Sequence, residues 1–398
     1  MTASHSVPRH YEVAVIGGGP AGLAAAIALA QAGIDTALVA RRAPYADNRT
    51  TALLGASVDF LASLDVWHRC ADEAAPLRAM RLVDDTSRLI RSPEVRFVSE
   101  EIGLDAFGYN IENRTLLAAM EARAAELPNL ARLDDDARTV IPDDDAVTVT
   151  TAGGHALTAS LVAGANGRRS LCREAAGIGV TRRALDQTAL TFNVAHTRPH
   201  GDCSTEFHTD AGPCVFVPLP GERSSVVWVM RPAEAERLMA LDDASLAEAA
   251  ERQCHSILGK LTVAPGRHVF PLAIEKPDRI AARRIALVGE AAHVVPPIGA
   301  QGLNMGLRDA ADLAAVAREA HLSGNDPGAD MALRRYANLR AADVASRTFA
   351  IDMANRTLLS GFLPLQMARA AGMHLLDRVG PLRRLAMREG LAPSWRAQ

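Results

Sequence analysis

Hydrophobic positions along this chain fall into two rhythms, and the switches between them outline the fold. Tyr11–Ile16 is a short apolar run of the kind that forms a buried strand, and Ala-rich chain after it predicts a helix to about Ala32. Asp35–Val39 reads as a second strand, and Arg49–Leu54 as the opening of another helix. Residues 75–110 suggest short strands with charged turns. Between Asn113 and Glu126, Leu116, Leu117, Met120 and Ala124 mark one face of an amphipathic helix. Asp-rich turns at Asp134–Asp136 and Asp143–Asp145, and the Gly153-Gly154 pair, separate alternating strands and read as solvated turns. Leu161–Gly164 is a further strand, running into the turn that ends at Gly167. From Thr188 to Met230 the alternation has period two (Ala189–Val194, Ser204–His208, Cys214–Val217, Val226–Met230), which predicts a separate antiparallel sheet. A helical stretch, Ala233–Leu258, follows. Strands then lead back to Ile285–Val288, and past Asp309 the chain is largely helical.

Two glycine-rich turns carry the candidate chemistry. The first, Gly17-Gly18-Gly19-Pro20-Ala21-Gly22, has a strand before it and a helix after it, the context that a dinucleotide fingerprint requires. Gly17 would make the tight turn, Gly19 would let the backbone meet a pyrophosphate, and Gly22 would let helix and strand pack closely. Where an acidic side chain would hold ribose hydroxyls stands Ala40, followed by Arg41 and Arg42; an arginine pair there also suits a 2′-phosphate, and so NADP. The second turn is IALVGEAAHVVPPIGAQGLNMGLRD, residues 285–309. Its Gly289-Glu290 pair and its Pro297, Gly299, Ala300, Gln301, Gly302, Leu303 and Asn304 lead into a helix beginning near Leu303. Backbone N–H groups at that helix start suit a polar or anionic ligand, and small residues let a flat ring approach. His293 reads as a hydrogen-bonded scaffold residue or as a base. An ordinary Gly-rich turn is the plainer alternative for the whole segment.

Composition narrows the picture. The 398 residues are 48% hydrophobic and 22% charged, and a net charge of −3 gives no support to a nucleic-acid partner. Cys70, Cys172, Cys203, Cys214 and Cys254 form no C-x-x-C pair and read as reduced thiols of a cytoplasmic protein. No His/Cys cluster has metal-ligand spacing. Neither a signal peptide nor an apolar run of about 18 residues is expected. The last stretch carries seven arginines from Arg356 onward and no lysine, interleaved with Leu358, Leu359, Phe362, Leu363, Leu365, Leu375, Leu376, Val379, Leu382 and Leu385. Such a segment either lies on an anionic inner-membrane surface or caps the core.

GGGPAG, RTTALL (49–54), ENRTLL (112–117), the Gly164–Ser170 turn, Asp186-Gln187-Thr188 and VGEAAHVVPPIGAQGLNMGLRDAADLA together resemble the FAD-dependent aromatic monooxygenases, and among them the ubiquinone-biosynthesis hydroxylases. The resemblance implies an α/β fold: a Rossmann-like FAD-binding domain (1–180 and 271–340) interrupted by an antiparallel substrate sheet (181–270), with a helical C-terminal region (341–398). It implies FAD, not NADP, on the first turn, with Arg49, Arg114 and Glu290 contacting it and the Pro296–Gly302 loop bordering the flavin ring. NAD(P)H would be a transient reductant. Dioxygen would add at the flavin C4a, and its distal atom would pass to the ring of a lipophilic, polyprenylated phenol. A small soluble phenol, or a weakly catalytic scaffold role in a quinone-making complex, remains open, as does a homo-oligomer. Three departures stand out: Ala40 for the acidic ribose ligand, Asn166 for an aspartate, and Glu290 for the commoner aspartate. No protein acid or base is assigned.

Overall fold

The computed structural model describes residues 8–42, 48–88, 91–359 and 363–391. Its first sheet is built around the strand Arg9–Ile16. On one side lie Thr36–Val39 and Leu130–Leu133, on the other Ala156–Gly164 and Ile285–Leu287, all parallel. Both faces are covered, which is why these strands are apolar nearly throughout. Val13 and Val15 pack with the helix Pro20–Gln31, while Ala14 and Ile16 belong to a second cluster with Val162, Leu287 and Cys172. The strand Ile285–Leu287 returns to Val162–Gly164 after a long excursion of the chain, so the doubly wound fold is interrupted and then completed.

That excursion contributes most of a second, eight-stranded sheet. Its strands Val180–His196, Cys203–His208, Pro213–Leu219, Arg223–Met230, Leu261–Val263 and His268–Pro277 pair antiparallel. The sheet also takes in Ala79–Asp84, parallel to Cys203–His208, and Val95–Val98 beyond it. Chain before residue 181 therefore completes this sheet. One face, with Phe192, Phe207, Phe216, Val226 and Trp228, packs on the helices Pro232–Met239 and Asp243–Gln253 through Leu238, Leu246 and Ala250.

Two local expectations change. Thr50–Leu54 is a strand, antiparallel to Gly108–Glu112, and the helix starts only at Gly55. Its β-branched Thr50 and Thr51 suit a ladder once a partner strand is present. The helix expected near Leu303 begins two residues earlier, spanning Gln301–Leu322.

The C-terminal helices Leu363–Arg378 and Gly380–Leu391 cover the outer strands of the second sheet. Met387, Met373, Leu376 and Leu391 cluster with Val95, Phe97 and Phe107, and Arg383 pairs with Glu101 at 2.8 Å. Arg369 pairs with the buried carboxylate of Asp84. The segment is thus a cap on one side, while Met367, Leu375, Val379, Leu382 and Leu385 are exposed on the other. Phe362 and the side chains of Leu358, Leu363 and Leu365 lie outside the described residues. No helix among the described residues is long and apolar enough to cross a membrane.

Candidate cofactor and substrate site

At the first turn, Gly17 has φ +121°, and a Cβ there would lie 2.3 Å from the Ala165 carbonyl oxygen. Only glycine fits. A Cβ at Gly22 would strike the Gly17 carbonyl oxygen at 2.0 Å, the close helix–strand contact expected of the third glycine. Gly19 differs: a Cβ there would meet nothing within 4 Å. It borders open space at the start of the helix Pro20–Gln31, which has no side-chain cap and no acidic residue in its first turn. Its first N–H groups therefore keep their capacity for an anion.

The second turn sits directly against the first. A Cβ built on Gly289 would be 3.2 Å from the Ala21 methyl, and one on Gly306 would be 3.1 Å from both that methyl and the Gly289 Cα. Residues 21, 289 and 306 thus meet at one point, where any larger side chain would wedge the two turns apart. At the ring loop, Gly299 and Ala300 both adopt left-handed backbone (φ 62° and 54°) and lead into the helix Gln301–Leu322, again without a side-chain cap. Alanine in that region costs on the order of 1 kcal/mol, strain of the kind found where backbone groups serve a ligand. The Gln301 amide donates to the Gly299 carbonyl at 3.1 Å, while its Oε1 is buried with no partner among the described residues. An uncapped helix start, an open glycine and an orphaned acceptor together fit a large, partly anionic, hydrogen-bonding cofactor.

The other expected site residues divide. The Asn304 side chain spends its hydrogen bonds on backbone: it accepts from Leu54 N–H (2.9 Å) and donates to the Ala52 (2.8 Å) and Ala300 (2.6 Å) carbonyls. It ties the Thr50–Leu54 strand to the ring loop. Asn166 accepts from the Ser170 hydroxyl at 2.6 Å, next to the Gly17 turn. Glu290 is largely exposed and faces Arg168 at 3.6 Å. Arg114 pairs with Glu112, and the Arg49 guanidinium lies 5.2 Å from the Phe270 ring. Arg41 turns outward to Asp136 at 2.5 Å, and Arg42 N–H donates to Asp134; the acidic turn is thereby partly neutralised.

Under the second turn lies a buried charge cluster. Asp309 accepts from Gly289 N–H (2.9 Å) and bonds His293 Nε2 (2.7 Å) and Arg340 Nε (2.6 Å). Arg340, fully buried, also reaches Asp343 at 2.8 Å and Asp312 at 3.0 Å. Burial pushes the Asp309 carboxyl up, but the charges of His293 and Arg340 outweigh it and hold the group at about 2. Burial likewise disfavours the Arg340 charge, and Asp309 and Asp343 more than restore it. His293 is a scaffold residue in this arrangement, fixing the turn from beneath. Asp309 ended the segment singled out in the sequence, but nothing there paired it with Arg340.

The second sheet has a further face, opposite its helices. Val215, Val217 and Val227 stand there on central strands, yet they are only half-buried, whereas Phe216, Val226 and Trp228 on the other face are core. This open face is tied to the cofactor domain at three places: Ser225 with Thr50 (2.8 Å), Asn193 with the Asn48 carbonyl (2.9 Å), and the Glu275–Val294 bridge just before the ring loop. Among the described residues, no group of three or more His, Cys, Asp or Glu side chains is placed to hold a metal ion, and all five cysteines are free.

Two glycine turns that abut at residues 21, 289 and 306, each leading into an uncapped helix start, define a dinucleotide-cofactor protein. Residues 10–345 match the FAD binding domain family. The ubiquinone hydroxylase UbiL of Rhodospirillum rubrum is 34% identical over 96% of this chain and 89% of its own. The 3-demethoxyubiquinol 3-hydroxylase of Escherichia coli is 31% identical over 96% and 98%. The p-nitrophenol 4-monooxygenase PnpA of Pseudomonas putida, at 19% identity, shares the fold with a TM-score of 0.78 over 96% and 98%. The protein belongs to the FAD-dependent monooxygenases, in the ubiquinone hydroxylase family.

Proposed function

We propose that this enzyme hydroxylates the aromatic ring of a polyprenylated quinone precursor, with NAD(P)H and O₂ as co-substrates. The observation that carries the reading is the meeting of the two turns at Ala21, Gly289 and Gly306. FAD, when bound, supplies the redox and oxygen-transfer chemistry. The protein's part is placement. Gly17, Gly19, Ala21 and Gly22 would seat the pyrophosphate on the first helix start, and Arg49, Arg114, Asn166, Gly289 and Glu290 would border the chain toward the ring. N–H groups at Gly299, Ala300, Gln301, Gly302 and Leu303 would face the ring's developing negative charge, where preorganised donors act most strongly. Pro297 stiffens that loop, and Asn304 anchors it. Val215, Val217 and Val227 exclude water and suit an apolar tail. Deleting the gene in its host should cause a prenylated precursor lacking one ring hydroxyl to accumulate, identified by mass; an unchanged quinone pool would refute the assignment.

The exposed side of the C-terminal cap supports peripheral membrane contact, through which a lipid substrate would arrive. Leu375, Val379, Leu382 and Leu385 stand among exposed Arg378, Arg384 and Arg388, an apolar and basic surface complementary to anionic lipid. An L382E/L385E double variant should bind vesicles containing anionic phospholipid about tenfold less well or worse, since each leucine contributes roughly 1.5–3 kcal/mol when buried. Co-sedimentation measures this, and equal binding of parent and variant would exclude this face.

A further inference from the structure

Ala40 leaves the first turn without a carboxylate for the adenosine ribose, and the structure shows a different polar group beside that position. Arg132 lies on the strand Leu130–Leu133, its Cα paired with Leu38 in the neighbouring strand. Ala40 N–H donates to the next residue's carbonyl, Leu133. A Cβ at Gly18 would be 2.9 Å from the Ala40 methyl and 3.8 Å from Arg132 Nη2, so turn, alanine and guanidinium converge. Arg132 Nη1 donates to both carboxylate oxygens of Glu121 at 2.8 Å, which fixes the guanidinium plane. Its Nε and Nη2 are buried with no partner among the described residues. Buried guanidinium donors left unpaired are costly, and a ligand that accepts from them recovers that cost. Arg41 is engaged by Asp136, and Arg42 lies 3.9 Å from the same Glu121 carboxylate.

We infer that Arg132, held by Glu121, takes the place of the missing acidic residue and donates hydrogen bonds to the oxygen atoms of the adenosine ribose of FAD. This rests on FAD occupying the first turn and not on the identity of the ring substrate. Recognition is thereby inverted in sense: the ribose oxygens accept from the protein where a carboxylate would have accepted from the ribose. Ala40 is then a requirement, because a bulkier side chain would intrude between Gly18 and the guanidinium. Neither Arg132 nor Glu121 is placed to act on the ring.

The test is the affinity of the apoprotein for FAD and its fragments, read by quenching of flavin fluorescence and, for ADP, by competition. R132M should weaken FAD and ADP by about 10- to 100-fold, the size of a charge-assisted hydrogen bond, while FMN, which lacks the adenosine, binds as in the parent. R132K, which keeps the charge but loses the planar fork, should fall in between and serves in place of R132M if that variant does not fold. A40E in the R132M background should recover part of the lost FAD affinity. Parent-like FAD affinity in both Arg132 variants would overturn the inference. Equal losses for FAD and FMN would overturn it too, by showing general damage to the fold. Failure of the parent itself to bind FAD would instead count against the seating of FAD on this turn.

Discussion

A Gly19→Val protein should fold as stably as the parent apoprotein and yet purify colourless. A Cβ at Gly19 meets no protein atom within 4 Å, so a side chain there starts into open space; it would project where a pyrophosphate would meet the first helix start. Loss of that approach should raise the FAD dissociation constant by roughly 100-fold or more, about 2.7 kcal/mol. Gly17→Val provides the contrast. Its side chain would strike the Ala165 backbone from a positive-φ position, so it should lower the unfolding midpoint whether or not FAD is added. Urea unfolding and flavin absorbance separate the two. If Gly19→Val retained its colour, the first turn would not hold the cofactor.

The second large effect belongs to Arg340. Replacing it by methionine takes one cation from the buried Asp309 and Asp343, leaving them His293 and Arg308 respectively, and breaking a buried ion cluster on one side costs about 3 kcal/mol. Because Asp309 holds the Gly289 N–H, R340M should also loosen the second turn and weaken FAD binding. The parent has a pH signature from the same cluster. Asp309 is held at about 2, below the ordinary value near 3.9, so its contribution is complete above about pH 4 and disappears as pH falls toward 2. With Arg340 gone the carboxyl titrates higher, and acid unfolding should begin at a higher pH than in the parent. Denaturant midpoints between pH 7 and pH 2 test both statements; identical profiles would show that Arg340 is not coupled to Asp309.

What could be read from sequence was chemistry that leaves few alternatives. The Gly17, Gly19 and Gly22 spacing constrains backbone geometry so tightly that residue type alone implies a turn against a strand and a helix. The period-two run from Ala189 to Met230 likewise reports a sheet, because only a strand alternates its faces. Thr50–Leu54 reads locally as a helix opening and is a strand, because its state depends on Gly108–Glu112, far along the chain, which supplies the ladder. Ala79–Asp84 reads as a strand, but its place in the second sheet depends on parallel pairing with the distant Cys203–His208. Arg132 carried no local sign: only the fold brings it beside Gly18 and Ala40. The division of the valines was equally hidden, since alternation shows two faces but not which one remains open.

Oxygen transfer to a prenylated ring by the FAD-loaded protein is the most direct test. Purified holoenzyme, NADH or NADPH, isotopically labelled dioxygen and a short-chain prenylated phenol should give a product carrying one labelled oxygen atom on the ring. Nucleotide oxidation that proceeds with no label in the organic product, or a preparation that takes up no FAD, would contradict the account.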